Sequence, residues 1–154
     1  MVQQTNSYRQ KMWCHKQSLT DSLIFHTPYD CCVRSLKGNG SFGLVVHCSN
    51  NLGTTSYAIK KLKTNTDECS LLREVAILKH VKQHRFFVNF VMAYECEGSR
   101  YIVFDLMDTD LHQIIQSEQD LSKSHVKYFL FQIVTALNFL HDSGIVHRDI
   151  KPQN

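Results

Sequence analysis

The 154-residue chain is 43% hydrophobic and 20% charged, with two prolines, a composition that excludes a disordered tail or a fibre. Its 17 Lys+Arg against 14 Asp+Glu leave a formal charge of +3, which points to neither nucleic acid nor an anionic membrane as partner. The longest unbroken apolar run is the five residues from Phe90 to Tyr94, too short to span a bilayer, and the first residues lack the hydrophobic stretch of a secretory signal.

Residues 1–28 are polar, mixed and without a clear period, and read as a flexible N-terminal extension. From Tyr29 the pattern changes. Segments 29–37, 44–48 and 56–62 are rich in β-branched and aromatic residues and are separated by glycine- and asparagine-bearing turns, which predicts three antiparallel strands. A helix is predicted from about 66 or 67 to 81, with Leu71, Leu72, Val75, Leu78 and Val81 at helical spacing. Two more strands follow near 88–94 and 100–106, with Glu97 and Gly98 as their turn. Beyond Met107 the chain reads as helical: a short helix over 110–116, then a long one capped by Ser122, with Val126, Phe129, Leu130, Ile133, Leu137 and Leu140 as its buried stripe and Gly144 as its stop. The class is therefore α+β, with an extension over 1–28, a strand-rich lobe over 29–106 and a helical part over 107–154.

None of the six cysteines forms a Cys-x-x-Cys, and the adjacent Cys31 and Cys32 fall in strand-like sequence, where side chains alternate between faces. Reduced thiols of the cytosol or nucleus are the expectation, not zinc or disulfides. His80 and His84 stand four apart, but the segment reads as a helix end running into a loop, not as a metal site.

Four motifs carry chemistry. Gly38-Asn39-Gly40-Ser41-Phe42-Gly43 lies between two strands, where glycines let backbone N–H groups close over a phosphate chain; a plain hairpin uses the same residues. Next come Ala58 and Lys60, which share one strand face and would suit a flat ring with phosphates beside it; a solvated edge lysine is the other reading. Glu74 is the third. On a helical wheel it falls within the apolar stripe, where an unpaired carboxylate is costly, so it calls for a buried cation, with Lys60 the nearest candidate; a rotated helix with Glu74 in water is the alternative. Last is His147-Arg148-Asp149-Ile150-Lys151-Pro152-Gln153-Asn154. There Asp149 can orient or deprotonate a hydroxyl, Lys151 can neutralise a phosphoryl group, and Asn154 can offer an amide oxygen to Mg²⁺.

Together and in this order, the four motifs resemble the eukaryotic protein kinases over residues 29–154. The stretch from Leu106 to Ile115 (Leu-Met-Asp-Thr-Asp-Leu-His-Gln-Ile-Ile) is similar to the hinge and first C-lobe helix of the mitogen-activated type, with cyclin-dependent and glycogen synthase kinases as near alternatives. The resemblance implies a kinase N-lobe, a five-stranded antiparallel sheet with one helix, followed by the first helices of a truncated C-lobe. It implies ATP and Mg²⁺ as cofactors, with Gly38, Asn39, Gly40, Ser41, Phe42 and Gly43 over the phosphates and Val45 and Ala58 against the adenine. Phe104 matches the gatekeeper, Asp105 and Met107 the adenine-reading backbone, and Asp110 the ribose contact. Lys60 and Glu74 match the phosphate-holding pair, Asp149 the catalytic base, Lys151 the γ-phosphate contact and Asn154 a metal ligand. Arg148 matches the anchor of a phosphorylated activation loop, and Leu78 and His147 match the hydrophobic spine.

Three departures stand out. Lys37 replaces the aliphatic residue usual before the first glycine, Tyr57 replaces a valine, and the stretch from Lys60 to Glu74 is short for the group. The sequence also holds no Asp-Phe-Gly, activation loop or Ala-Pro-Glu, so the chain reads as a fragment of a kinase, inactive by itself. The implied partners are protein substrates bearing Ser or Thr and an upstream activating kinase, with no nucleic acid and no membrane, in cytoplasm or nucleus. The rival reading is a non-catalytic module that binds nucleotide or a partner.

Overall fold

The computed structural model describes residues 14–20, 23–28, 31–40 and 43–154. Two strands, β1 (Cys14–Thr20) and β2 (Leu23–Pro28), form an antiparallel hairpin. The strands β3 (Cys31–Gly40), β4 (Gly43–Asn50), β5 (Ser56–Leu62), β6 (Phe90–Cys96) and β7 (Ser99–Asp105) build an antiparallel sheet in the order β3-β4-β5-β7-β6. Helix α1 (Glu68–Val81) falls between β5 and β6 in sequence, and α2 (Leu111–Gln116) and α3 (Lys123–Asp142) follow β7. This is the five-stranded sheet with one helix, and then helices, that the periodicity predicts. The chain divides into two compact units, one within 1–79 and 89–106, the other within 80–88 and 107–154. Among the described residues no helix is long and apolar enough to cross a membrane.

In the first unit, the period-2 alternation of a strand assigns each sheet face its own partner. Leu44, Val46 and Cys48 of β4 are buried on one face in a core with Phe25, Ile59 and Tyr101. On the opposite face Leu62, Phe90 and Ile102 pack with Val75 of α1. The same alternation separates the two adjacent thiols: Cys31 is buried, whereas Cys32 is half-buried and its Sγ donates to Asn51 Oδ1 at 3.2 Å. Burial pushes the Cys48 thiol up to about 12, so it stays protonated.

The flexible extension expected over 1–28 has a different character in its described part. The β1–β2 hairpin is tied to the sheet through Phe25, which is fully buried against Tyr101 with ring centroids 5.4 Å apart. Burying such a ring contributes about 2–3 kcal/mol. Tyr94 donates its hydroxyl to the His26 carbonyl at 2.7 Å, and His26 Nδ1 lies 3.1 Å from Tyr101 Oη. His26 Nε2 is 3.0 Å from a Glu97 carboxylate oxygen, yet it is off line for a hydrogen bond. These partners come from β6, β7 and their turn, about 70 residues away in sequence, so no local period announces them. Tyr29 and Asp30, and residues 1–13, lie outside the described residues.

Helix α1 begins at an Asp67 cap, whose carboxylate accepts the Ser70 N–H at 2.9 Å and also the Ser70 hydroxyl. The short connection before it is pinned by Arg100, whose guanidinium donates to the Thr66 carbonyl at 2.9 Å. In the second unit, α3 opens with a capping box: Ser122 Oγ accepts the His125 N–H, and His125 Nδ1 accepts the Ser122 N–H. It closes in a Schellman turn, with Gly144 at φ +70° and the Ile145 N–H donating to Leu140 O at 2.9 Å. His80 and His84 serve packing here: both rings lie against Phe139, at 5.6 and 4.6 Å between centroids.

The buried stripe expected along α3 is only partly closed: Phe129, Ile133 and Leu137 are half-buried. Leu140 alone on the helix is buried, while Val126 and Leu130 are about half exposed. Phe129, Ile133 and Leu137 line a cavity of about 420 Å³ within the second unit instead of meeting close-packed partners. Leu111 and Ile114 of α2 and Ile150 line the other walls of this cavity without filling it, and Val126, Leu130, Phe131 and Val134 stay exposed, so the apolar period is present with only part of the burial it usually signals.

Candidate functional site

The first unit carries one group of the singled-out residues. Val45 pairs across to Lys60, and His47 to Ala58, so the four share one face of the sheet beside the part covered by α1. Lys60 Nζ lies 2.8 Å from Glu74 Oε1, an ion pair joining β5 to α1. The lysine side chain is 19% exposed and the carboxylate 38%, so Glu74 is less buried than a central position in the stripe implies. The stripe's centre, set by Val75, Leu71 and Leu78, falls about 65° from Glu74 at 100° per residue. Rotation toward Val75 leaves Glu74 on the shoulder, where it reaches the lysine and keeps partial hydration.

The glycine hairpin divides into positions with different physical reasons. Gly43 has φ +137°, and a Cβ there would lie 2.1 Å from the Lys61 carbonyl oxygen; no side chain fits. Gly38 has open space where its Cβ would project. Asn39 is exposed, and Gly40 pairs with Gly43 at the hairpin's end. Ser41 and Phe42 lie outside the described residues. At the far end of β7, Phe104 packs edge-on against Phe90 at 6.5 Å. Asp105 is clamped by Asn89, whose side-chain amide donates to its carboxylate at 2.9 Å and whose carbonyl accepts its N–H at 3.1 Å. Neither Asn89 nor His47 was singled out by the sequence, because neither lies within a recognisable spacing.

The second unit holds the other group. Met107 is half exposed. Asp110 is the N-cap of α2, with its Oδ1 accepting the Gln113 N–H at 2.8 Å, so part of this carboxylate is committed to the helix. Residues 147–154 form a tight loop. Arg148 adopts φ +66°, the Asp149 N–H donates to His147 Nδ1 at 3.2 Å, and the His112 N–H donates to Pro152 O at 3.0 Å. Asp149 Oδ2 receives Lys151 Nζ and Asn154 Nδ2, both at 2.8 Å. The Asn154 amide nitrogen also donates to the Asp149 carbonyl at 2.7 Å, which turns both of its protons inward and leaves the amide oxygen for a cation.

The Lys151 hydrogen bond, then the one from Asn154, holds the Asp149 carboxyl below the usual carboxylate range. A carboxyl depressed in the folded state stabilises it fully above the unfolded value, and this is lost as pH falls through the lower folded value. The Asp149 side-chain ¹³C shift is therefore expected to titrate below about 3.9, the ordinary value for aspartate. A titration above that value would mean that the contacts to Lys151 and Asn154 do not persist in solution.

The protein kinase domain model matches residues 33–154. Over 125 residues, or 76% of this chain, the sequence is 40% identical to mitogen-activated protein kinase 7 of Arabidopsis thaliana and 39% identical to mitogen-activated protein kinase 4 of Oryza sativa subsp. japonica. It is 38% identical to mitogen-activated protein kinase homolog 1 of Petunia hybrida. These alignments cover 34%, 34% and 33% of the three proteins, so the chain spans about a third of the length of the curated relatives it matches.

Proposed function

Because the chain belongs to the protein kinase domain family, we propose that its protein is an ATP-dependent serine/threonine kinase of the mitogen-activated type. The Lys60–Glu74 ion pair at 2.8 Å is the observation that carries this reading. A lysine fixed by a helix carboxylate on a glycine-hairpin sheet is a built anion site, whereas a solvated edge lysine needs no such partner.

The residues present fit Mg·ATP. In the first unit Gly38 leaves room for close backbone approach and Lys60 supplies a held cation; in the second, taken by itself, Asn154 presents an amide oxygen of the type hard cations take. When bound, Mg·ATP supplies the γ-phosphoryl group and the cation that spreads its charge. Lys60 binds phosphate oxygens, and Val45 and Ala58 offer an apolar surface to the base. Asp149 orients the attacking Ser or Thr hydroxyl and takes its proton at the carboxylate, and Lys151 offsets the charge that moves with the phosphoryl group. Protein substrates belong to this proposal, as the relatives' names suggest, and so does an upstream activating kinase, which the family resemblance implies.

For the 154 residues by themselves we expect nucleotide binding without transfer. The open apolar side of α3 and a single metal ligand in the 147–154 loop support that expectation. The test is fluorescence titration of a labelled ATP with Mg²⁺. Lys60→Met should weaken binding about tenfold, the loss of one charge-assisted phosphate contact. Equal affinity in the two proteins would remove Lys60 from the site.

A further inference from the structure

We propose that Lys37 is a specificity-determining residue of the nucleotide site, a second phosphate-binding cation that shifts recognition from the base toward the polyphosphate. The inference rests on the kinase reading and concerns a position where this sequence departs from that family's aliphatic residue.

The backbone singles Lys37 out. Along β3, Leu36 pairs with Val46 and Gly38 with Val45, so Lys37 is the extra residue of a β-bulge. A bulged residue has no ladder partner, and the local twist re-aims its side chain. The bulge ends at the first glycine of the hairpin. Gly38 then faces Val45, and Val45 faces Lys60 on the next strand. Two strand spacings, about 10 Å, thus separate the backbones on which the two lysines stand.

The side chain is free for such a role. Lys37 is exposed, and no carboxylate of the described residues pairs with it. Lys60 is held by Glu74 at 2.8 Å, so its charge is already partly offset. A polyanion lying across β3 to β5 therefore has within a lysine's reach one cation offset by Glu74 and one that no carboxylate of the described residues offsets. Lysine also carries a flexible apolar stem, which lets the ammonium reach outward while the stem covers nearby surface. An aliphatic residue at this position could contact only the base or sugar. The ammonium adds an attraction that is indifferent to which base is attached.

The chemistry predicts a ligand preference that the ordinary aliphatic residue would not give. Inorganic tripolyphosphate, which has no base, should bind the chain and compete with labelled ATP, and GTP should compete nearly as well as ATP. Calorimetry with tripolyphosphate and displacement of labelled ATP measure these two properties separately. Lys37→Leu is expected to weaken tripolyphosphate binding about tenfold, while ATP is favoured over GTP more than in the unaltered chain. Lys37→Arg should keep the unaltered pattern. Because the residue is exposed, neither substitution should disturb folding, which circular dichroism would verify.

If labelled ATP binds and Lys60→Met weakens it, but Lys37→Leu leaves the tripolyphosphate affinity and the ATP-to-GTP ratio unchanged, this proposal is overturned and the kinase reading stands. If neither nucleotide nor tripolyphosphate binds the unaltered chain, both are overturned.

Discussion

Asp149→Asn is expected to lower phosphate transfer by at least about a hundredfold while leaving ATP affinity nearly unchanged. The measurement is steady-state transfer to a Ser/Thr peptide by the protein expressed at the full length of its relatives, with ATP binding followed separately. Asparagine is nearly isosteric with aspartate, and its amide oxygen can still accept from Lys151 and Asn154, the two donors now 2.8 Å from the carboxylate. The loop should therefore keep its shape. What disappears is the negative charge and the capacity to take a proton from the attacking hydroxyl. The Lys151 and Asn154 hydrogen bonds hold the Asp149 carboxyl below the usual carboxylate range, so it is ionised throughout the neutral range and the loss should show no recovery between about pH 6 and 8. Transfer at the unaltered rate would show that Asp149 is not the base.

Gly43→Ala is expected to destabilise the sheet by roughly 3 kcal/mol, an overpacking effect compounded by backbone strain. The added Cβ would sit 2.1 Å from the Lys61 carbonyl oxygen, an atom held in the β4–β5 ladder, and φ +137° is a conformation alanine resists. Neither side can yield cheaply, because moving β5 would also displace Lys60 from Glu74. Urea denaturation of the 154-residue chain should therefore show a clearly lower midpoint. Gly38→Ala provides the contrast. Nothing lies within 4 Å of its Cβ position, so the midpoint should hold, while labelled-ATP binding should weaken as the methyl group occupies the approach of the phosphates. If both substitutions lowered stability alike, the two glycines would have the same structural role and the hairpin would carry no signature of a ligand.

Much of the fold was legible because local periods were strong. The strand over 56–62 coincides with β5, and the expected N-cap Ser122 and stop Gly144 are the residues that bound α3. The Lys60–Glu74 pair was readable by elimination, since a carboxylate among apolar helix positions needs a cation and Lys60 was the nearest candidate. The wheel placed Glu74 too centrally, because helix rotation is decided by what packs against Val75, namely Leu62, Phe90 and Ile102 on three strands. The β1–β2 hairpin was missed for a related reason: residues 14–28 carry no local period, and Phe25 is buried by Tyr101, Val46 and their neighbours.

The amino-acid order by itself determined the five strands of the sheet and the three helices, the glycine hairpin, and the set of charged side chains at 60, 74, 149 and 151. Spacing, capping chemistry and residue type act over a few positions and need no knowledge of the rest of the chain. Only the tertiary structure decided which face each element turned inward, where Glu74 came to rest, that Asn89 clamps Asp105, and that Lys37 stands on a bulge. Those outcomes depend on contacts between residues far apart in sequence, whose burial and hydrogen bonding favour one register and one rotation over the alternatives that local patterning leaves equally open.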